Sequence, residues 1–279
     1  MNFKKTYKKI KLLFEQNDVD ENCASFCADV LNDGRLNIHF RKEITLGDYF
    51  KLMLATKKRI KGVPTNKILK NQVFYGRNFY IDNNDLAPRV DTEFVVSEAL
   101  EYIKKESKVL DLCTGSGIIA ITINKESGAN VFASDISSKA LKIAKKNALT
   151  NEADVTFVQS DMFENIMEKG FDLIISNPPY IPSKDVGNLS KEVKDYDPII
   201  ALDGGEDGLD YYRIIEKNLS LYLLEEGKLI LEIGYDEGES IKKLFSNYNT
   251  IIKKDYEGND RVAIISYKKV NNARKTKKN

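Results

Sequence analysis

This chain of 279 residues has only three cysteines and one histidine. The thiols Cys23, Cys27 and Cys113 are an odd, sparse set, which argues against a disulfide framework and fits a reducing cytoplasm. Cys23 and Cys27 lie four apart on an expected helix, and His39 alone does not complete a zinc site with them, so no metal is expected. Nor is there an apolar run of about 18 residues, the length a membrane-spanning helix needs. The N-terminal segment carries charge without an apolar core, so a signal peptide is not expected. Repeats and long low-complexity stretches are absent as well. Net charge is almost absent, at +1, but it is unevenly spread: residues 1–75 hold 15 Lys/Arg against 8 Asp/Glu, and residues 268–279 hold six basic residues and no acid. A basic surface suits an acidic or nucleic-acid partner, whereas for the tail alone a solvated, frayed end is expected. What remains, 42% hydrophobic and 30% charged residues, is the composition of a globular chain long enough for one large domain or two ordinary ones.

Residues 1–70 carry apolar side chains at helical spacing (Ile10, Leu13 and Phe14, then Phe26, Val30 and Leu31), and 48–55 repeats the pattern, so a helical domain is predicted there. Gly62-Val63-Pro64 interrupts it. Two aromatic runs, 73–75 and 79–81, flank Gly76-Arg77-Asn78 and predict a β-hairpin, with 71–86 as the joint between two domains. From about residue 90 the pattern alternates. Helix 92–105 precedes strand 109–113, helix 118–125, strand 130–134, helix 138–149, and strands 155–159 and 171–176. A long loop, 181–208, leads to helix 209–224, strand 228–233, helix 239–245 and final strands 251–254 and 261–267. Such alternation predicts right-handed crossovers and a mainly parallel sheet covered on both faces. Only 255–260 joins the last two strands, too short for a helical crossover, so one of them must run antiparallel. The second domain is set at 87–268, followed by a basic tail, 269–279.

The strand ends carry the chemistry. The apolar run 171–176 opens directly into Asn177-Pro178-Pro179-Tyr180. The two prolines fix φ and remove two backbone donors, and Asn177, preceding a proline, is pushed out of the helical region. Such a loop presents carbonyls and one side-chain amide in fixed geometry beside a tyrosine ring. That suits a planar NH₂ group: two acceptors take its two protons and the ring lies on its face. Asp111-Leu112-Cys113-Thr114-Gly115-Ser116-Gly117 follows the first strand of the sheet and opens a helix. It lacks the Gly-Lys-Ser/Thr of a phosphate loop and the third glycine of a dinucleotide site. Asp111, at the mouth of the loop, would repel a pyrophosphate and suits an ammonium group. Asp135 ends the next strand, where a carboxylate can accept ribose hydroxyls. Asp161, after the third strand, suits an adenine amine, with Met162 covering the ring. Ammonium, ribose and adenine in strand order, beside an acceptor for NH₂, specify S-adenosyl-L-methionine, whose product is S-adenosyl-L-homocysteine.

These segments resemble a known family, the PrmC (HemK) protein-glutamine N5-methyltransferases, over about residues 60–268. Residues 73–80 resemble its linker hairpin, and Pro88-Arg89-Val90-Asp91-Thr92-Glu93 resembles its P-R-P-D-T-E signature. Residues 111–117, N-P-P-Y at 177–180 and A-L-D-G-G-E-D-G-L-D at 201–210 complete the match. The resemblance implies an α/β fold, a Rossmann-like, seven-stranded mixed sheet of the S-adenosylmethionine-dependent methyltransferases, behind a small N-terminal helical domain that grips the substrate. It implies that Cys113, Thr114, Gly115, Ser116, Gly117, Asp135, Met162 and Asn177 contact the methyl donor. It further implies that Asn177, Pro178, Pro179 and Tyr180 contact the glutamine of a Gly-Gly-Gln motif in peptide chain release factors, with Arg89 and Glu93 on the substrate side. Two positions depart from the pattern. Val90 stands where the signature has its second proline and is expected to relax the turn into the helix. Cys113 replaces a glycine, and its backbone is expected to avoid strongly positive φ. A cytoplasmic monomer is expected, with no membrane and no stable nucleic-acid binding. Amino-methylating enzymes of DNA and RNA share N-P-P-Y, so a methyltransferase acting on the exocyclic amine of a flipped adenine or guanine is the alternative.

Overall fold

The computed structural model describes residues 1–83, 86 and 89–269. Pro88 of the P-R-x-D-T-E segment and the tail beyond Lys269 lie outside them. The chain divides into two compact units: Met1–Gln72 with Tyr80–Ala87 and Leu189–Pro198, and Val73–Phe79 with Pro88–Asn188 and Ile199–Asn279. Among the described residues no helix is long and apolar enough to cross a membrane.

In the first unit, α1 (Phe3–Gln16), α2 (Cys23–Leu31), α3 (Leu46–Arg59) and α4 (Thr65–Leu69) close on a core that includes Ile10, Phe14, Phe26, Cys27 and Leu52. Three of these helices start where a side chain takes up free backbone N–H groups. Asn2 accepts from Lys5, Asn22 accepts from Ala24 and Ser25, and Thr45 and Asp48 cap α3 reciprocally. The buried face of α3 carries Arg59, whose guanidinium bonds Glu21 through Nε and Glu192 Oε1 through Nη2 at 2.5 Å. Lys67 pairs with Asp197 at 3.3 Å, both side chains buried, and donates to the Asp82 carbonyl at 2.6 Å. Glu192 and Asp197 belong to Leu189–Pro198, far along the chain from the helices they complete.

The hairpin pairs β1 (Asn71–Phe74) with β2 (Arg77–Tyr80). Its turn is Tyr75-Gly76, at φ 49° and 73°. Two left-handed residues suit the twist of a two-residue hairpin turn, and a tyrosine takes a place usually held by Asn or Asp. The turn therefore lies one residue earlier than the aromatic pattern predicts.

The second unit runs α5 (Val90–Leu100), β3 (Lys108–Leu112), α6 (Ile118–Ser127), β4 (Asn130–Asp135), α7 (Ser138–Thr150), β5 (Val155–Gln159) and β6 (Phe171–Ser176). After the short helices α8 (Ser183–Val186) and α9 (Lys191–Tyr196), the latter counted in the first unit, come α10 (Asp210–Tyr222), β7 (Leu223–Glu232), α11 (Gly238–Leu244), β8 (Tyr248–Lys254) and β9 (Asp260–Tyr267). The seven strands lie in the order β5-β4-β3-β6-β7-β9-β8, parallel from β5 to β7, with β9 antiparallel to both of its neighbours. β3 and β6 are apolar apart from Lys108, Asp111, Asp172 and Ser176, and their apolar side chains enter cores on both faces of the sheet. Val109, Ile119 and Ile175 belong to the core on one face; Leu110, Ile174 and Tyr212 belong to the core on the other. Each such side chain removed from water contributes about 1.5–3 kcal/mol. The chain builds outward from β3 to β5 and then returns to β6 on the other side of β3. That reversal opens a crevice beyond the strands' carboxyl ends, where ligands bind in open α/β sheets.

Candidate active site

Strand register sets the expected residues side by side. Leu112 pairs with Ser134 and with Ser176, and Ser134 pairs with Val158. One residue further along each strand come Cys113, Asp135, Gln159 and Asn177, all on one edge of the sheet.

The glycine turn is braced from beneath. Asp111 Oδ2 accepts from Thr114 Oγ1 at 2.6 Å and from the Ala120 N–H at 3.1 Å. Asn147 Nδ2 donates to the Ser116 carbonyl at 2.9 Å. Gly117 sits at φ 81°, and a Cβ there would lie 2.9 Å from the Ala144 methyl, so only glycine lets α7 approach this closely. Gly115, at φ 54°, has open space where its Cβ would be. Two expectations need correction here. Asp111 is not at the mouth of the loop: it is fully buried below it, where burial pushes its carboxyl up to about 7 against the Thr114 and Ala120 hydrogen bonds. Its Oδ1 has no protein partner. Cys113 does not avoid positive φ: it sits at 61°, because the chain must turn sharply off β3 to let the Thr114 N–H reach the Ser134 carbonyl at 2.9 Å. Its Cβ makes that conformation costly, by about 1–2 kcal/mol.

Asp135 is held by two backbone donors, Gly115 to Oδ2 and Ser137 to Oδ1, each at 2.8 Å. Burial raises its carboxyl while these two bonds oppose the shift. Met162, buried and at φ 43°, lies with its sulfur 3.7 Å from Cys113 Sγ, which joins the ends of β3 and β5. Asp161 and Met162 line a cleft of about 450 Å³ with Phe163, Ile214 and Tyr222. Asp161 also borders one of about 550 Å³ that includes Asp203, Asp210 and Tyr211.

Pro178 and Pro179 are buried, while Asn177 and Tyr180 are half-exposed. The glycine-rich 201–210 segment explains the stiffness of this corner. Ile181 exchanges backbone bonds with it, its N–H donating to the Leu202 carbonyl at 3.0 Å and its carbonyl accepting from the Gly204 N–H at 2.8 Å. A Cβ on Gly204 would fall 2.8 Å from Tyr180 Cα and 2.9 Å from the Pro179 oxygen. Burial, then the nearby Glu232, raises the pKa of the Tyr180 hydroxyl. Glu93 reaches the hairpin, accepting the Tyr75 N–H at 2.8 Å, and Arg89 is exposed just before α5.

Sequence reasoning assigned no part to Thr92 and Glu232. Thr92 Oγ1 donates to Glu232 Oε2 at 2.8 Å and lies 3.5 Å from Asn177 Nδ2. The signals were present: Thr92 lies within the P-R-x-D-T-E segment, and Glu232 is an acid ending the apolar run Leu229-Ile230-Leu231. Burial pushes the Glu232 carboxyl up to about 7, with the Thr92 bond and the nearby Arg261 opposing.

A profile of the methyltransferase small domain matches residues 90–193. The release factor glutamine methyltransferase of Thermodesulfovibrio yellowstonii is 39% identical over 236 residues, covering 81% of this chain and 85% of its own. That of Bacillus anthracis is 35% identical over 263 residues, covering 89% and 93%. Among solved structures, a methyltransferase from Pyrococcus furiosus superposes with TM-score 0.55 at 19% identity, over 75% of this chain and 97% of its own, a likeness of fold. With this identity extending along most of both chains, the protein belongs to the release factor glutamine methyltransferase family.

Proposed function

We propose that this methyltransferase uses S-adenosyl-L-methionine to methylate the side-chain nitrogen of the glutamine in the Gly-Gly-Gln motif of peptide chain release factors. The observation that carries this reading is the row of Cys113, Asp135 and Asn177 along one sheet edge, with N-P-P-Y braced from behind by Gly204. The residues suit a donor that carries both a sulfonium and an ammonium charge: Asp111 has an unpaired buried oxygen, Gly115 leaves open space, and Asp135 and Asp161 add carboxylates nearby. In this reading Asp135 takes the ribose hydroxyls, Asp161 and Met162 hold the adenine, and residues 113–117 line the remainder. When bound, the donor supplies an electrophilic methyl group.

The chain's own task is to make a sluggish nitrogen reactive. A carboxamide lone pair is delocalised into its carbonyl. Asn177 Oδ1 and the Pro178 carbonyl accept the two N–H bonds of the glutamine, which orients the nitrogen and stabilises the positive charge that grows on it; the methylated nitrogen then gives up one of these protons to water. Pro178 and Pro179 keep those acceptors fixed, and Tyr180 packs on the amide plane. The helical unit, with Arg89 and Glu93, serves the substrate side. The reaction belongs to the cytoplasm and needs one copy of the chain.

The test offers labelled donor with, separately, a release factor, its glutamine-to-alanine variant, and nucleic acid. Label on the intact release factor alone is expected; label on nucleic acid would replace this substrate with a base amine. Asn177→Ala should leave donor binding detectable and lose about 10²-fold in kcat, and near-wild-type turnover would remove Asn177 from this role. Asp135→Ala should chiefly weaken donor binding.

A further inference from the structure

Three residues from three elements meet behind the N-P-P-Y corner. Thr92 lies in the first turn of α5, Glu232 ends β7 and Asn177 follows β6; Thr92 and Glu232 are buried, at 2% and 1% exposure. A threonine hydroxyl has one hydrogen to give. Thr92 gives it to Glu232 Oε2, so its oxygen can meet Asn177 only as an acceptor. The end of the Asn177 amide that faces Thr92 must then be the NH₂ group, 3.5 Å away, a length typical of active-site bonds before substrate tightens them. Oδ1 is left as the end not committed to Thr92.

We propose that Thr92 and Glu232 are positioning residues: the buried carboxylate, acting through one hydroxyl, dictates which end of the Asn177 amide meets the substrate. The two ends of a carboxamide are nearly isosteric, so packing alone distinguishes them poorly. Turned over, the amide would set NH₂ against the NH₂ of the substrate, donor against donor. The relay rests on the reading that Asn177 Oδ1 accepts from the glutamine amide, and it adds the groups that make this the presented atom.

The relay has a polarity that protonation reverses. A protonated Glu232 becomes a donor, which frees the Thr92 hydrogen to turn toward Asn177. Glu232 is faced by Arg261 from β9, by Arg89 and Asp91 at the start of α5, and by Tyr180 of the corner, and Tyr212 of α10 donates to its backbone carbonyl at 2.9 Å. Arg261 also pairs with Asp91 at 3.4 Å and Asp255 at 3.1 Å. The arginines favour the carboxylate, whereas burial and Asp91 favour the acid. The balance puts its titration at about 7.

The experiment has two arms on the full chain. The first follows single-turnover methylation of a release factor across pH by the wild type, Thr92→Val, Thr92→Ser and Glu232→Gln, with donor affinity and melting temperature measured beside it. Thr92→Val should lose about 10-fold or more in rate, the scale of removing a group that orients another, with donor affinity little changed. Thr92→Ser should restore most of that rate, and Glu232→Gln should abolish the fall in rate below about pH 7. Wild-type rates and pH profiles in both Thr92→Val and Glu232→Gln overturn the relay. If Thr92→Val does not fold, the Glu232→Gln profile decides. The second arm needs no turnover: the Asn177 side-chain NH₂ resonances, assigned by their loss in Asn177→Asp, should titrate near pH 7 in the wild type and not in Glu232→Gln. Asn177 resonances unmoved both by pH and by Glu232→Gln overturn the relay, whereas a wild type that responds but does not label release factors counts against the proposed substrate and not against the relay.

Discussion

In the helical unit, Arg59 and Lys67 are buried against carboxylates; in the sheet unit, Asp111 and Glu232 are buried, and Glu237 half-buried, against hydroxyls and backbone N–H groups. The first arrangement neutralises charge and fixes shape. The second leaves three carboxyls pushed up to about 7 by burial, and one of them, Glu232, is linked through Thr92 to Asn177. A buried cation bonded directly to a carboxylate reads as architecture, whereas buried acids whose direct hydrogen bonds come from neutral donors mark a candidate working site.

The contrast can be broken most forcefully at Lys67. Lys67→Met leaves Asp197 buried without its cation and should cost about 3–5 kcal/mol in chemical denaturation; a loss below about 1 kcal/mol would erase the distinction. The acids can be read through pH. A carboxyl raised in the folded state holds a proton that the unfolded chain has released, so its stabilising effect is full below the unfolded values of 3.8 for Asp and 4.5 for Glu and is lost as pH rises toward about 7. Melting temperature should therefore fall across that window from these groups, and Glu237→Gln should flatten part of the fall; an unchanged slope would mean Glu237 is not among them. Gly117→Ala should destabilise by about 1–3 kcal/mol through its clash with Ala144. The smallest effect is expected at Cys113→Gly, which relieves the left-handed backbone but loosens the unfolded chain. A gain of about 0.5–1 kcal/mol should appear as a slightly higher melting temperature, and a lower one would show that the Met162 contact outweighs the backbone cost.

Much of the sheet was legible because strand and helix periods differ and β3 and β6 are buried on both faces. The short 255–260 link correctly required an antiparallel strand, which is β9. Asp135 and Asn177 could be aligned in advance because each directly ends a strand. What escaped depends on contacts or dihedrals the sequence does not display. Tyr75 and Cys113 adopt left-handed backbone that their side chains oppose, since tertiary bonds on either side demand the turn. Asp111 looked exposed because its burial comes from α6 packing over it. Thr92 and Glu232 are 140 positions apart and meet only once β7 is in place. The 189–198 stretch reads as part of one loop, yet it holds a helix whose carboxylates answer cations in the first unit.

That stretch bears on how the protein could be divided. Because Leu189–Pro198 completes the helical unit, no single scission yields both halves intact. An N-terminal fragment ending at the hairpin would lack the Asp197 partner of Lys67 and the Glu192 partner of Arg59, while the remaining piece would carry a helix cut off from the cations it pairs with. Swapping the helical unit between relatives therefore requires transplanting the ten-residue excursion with it.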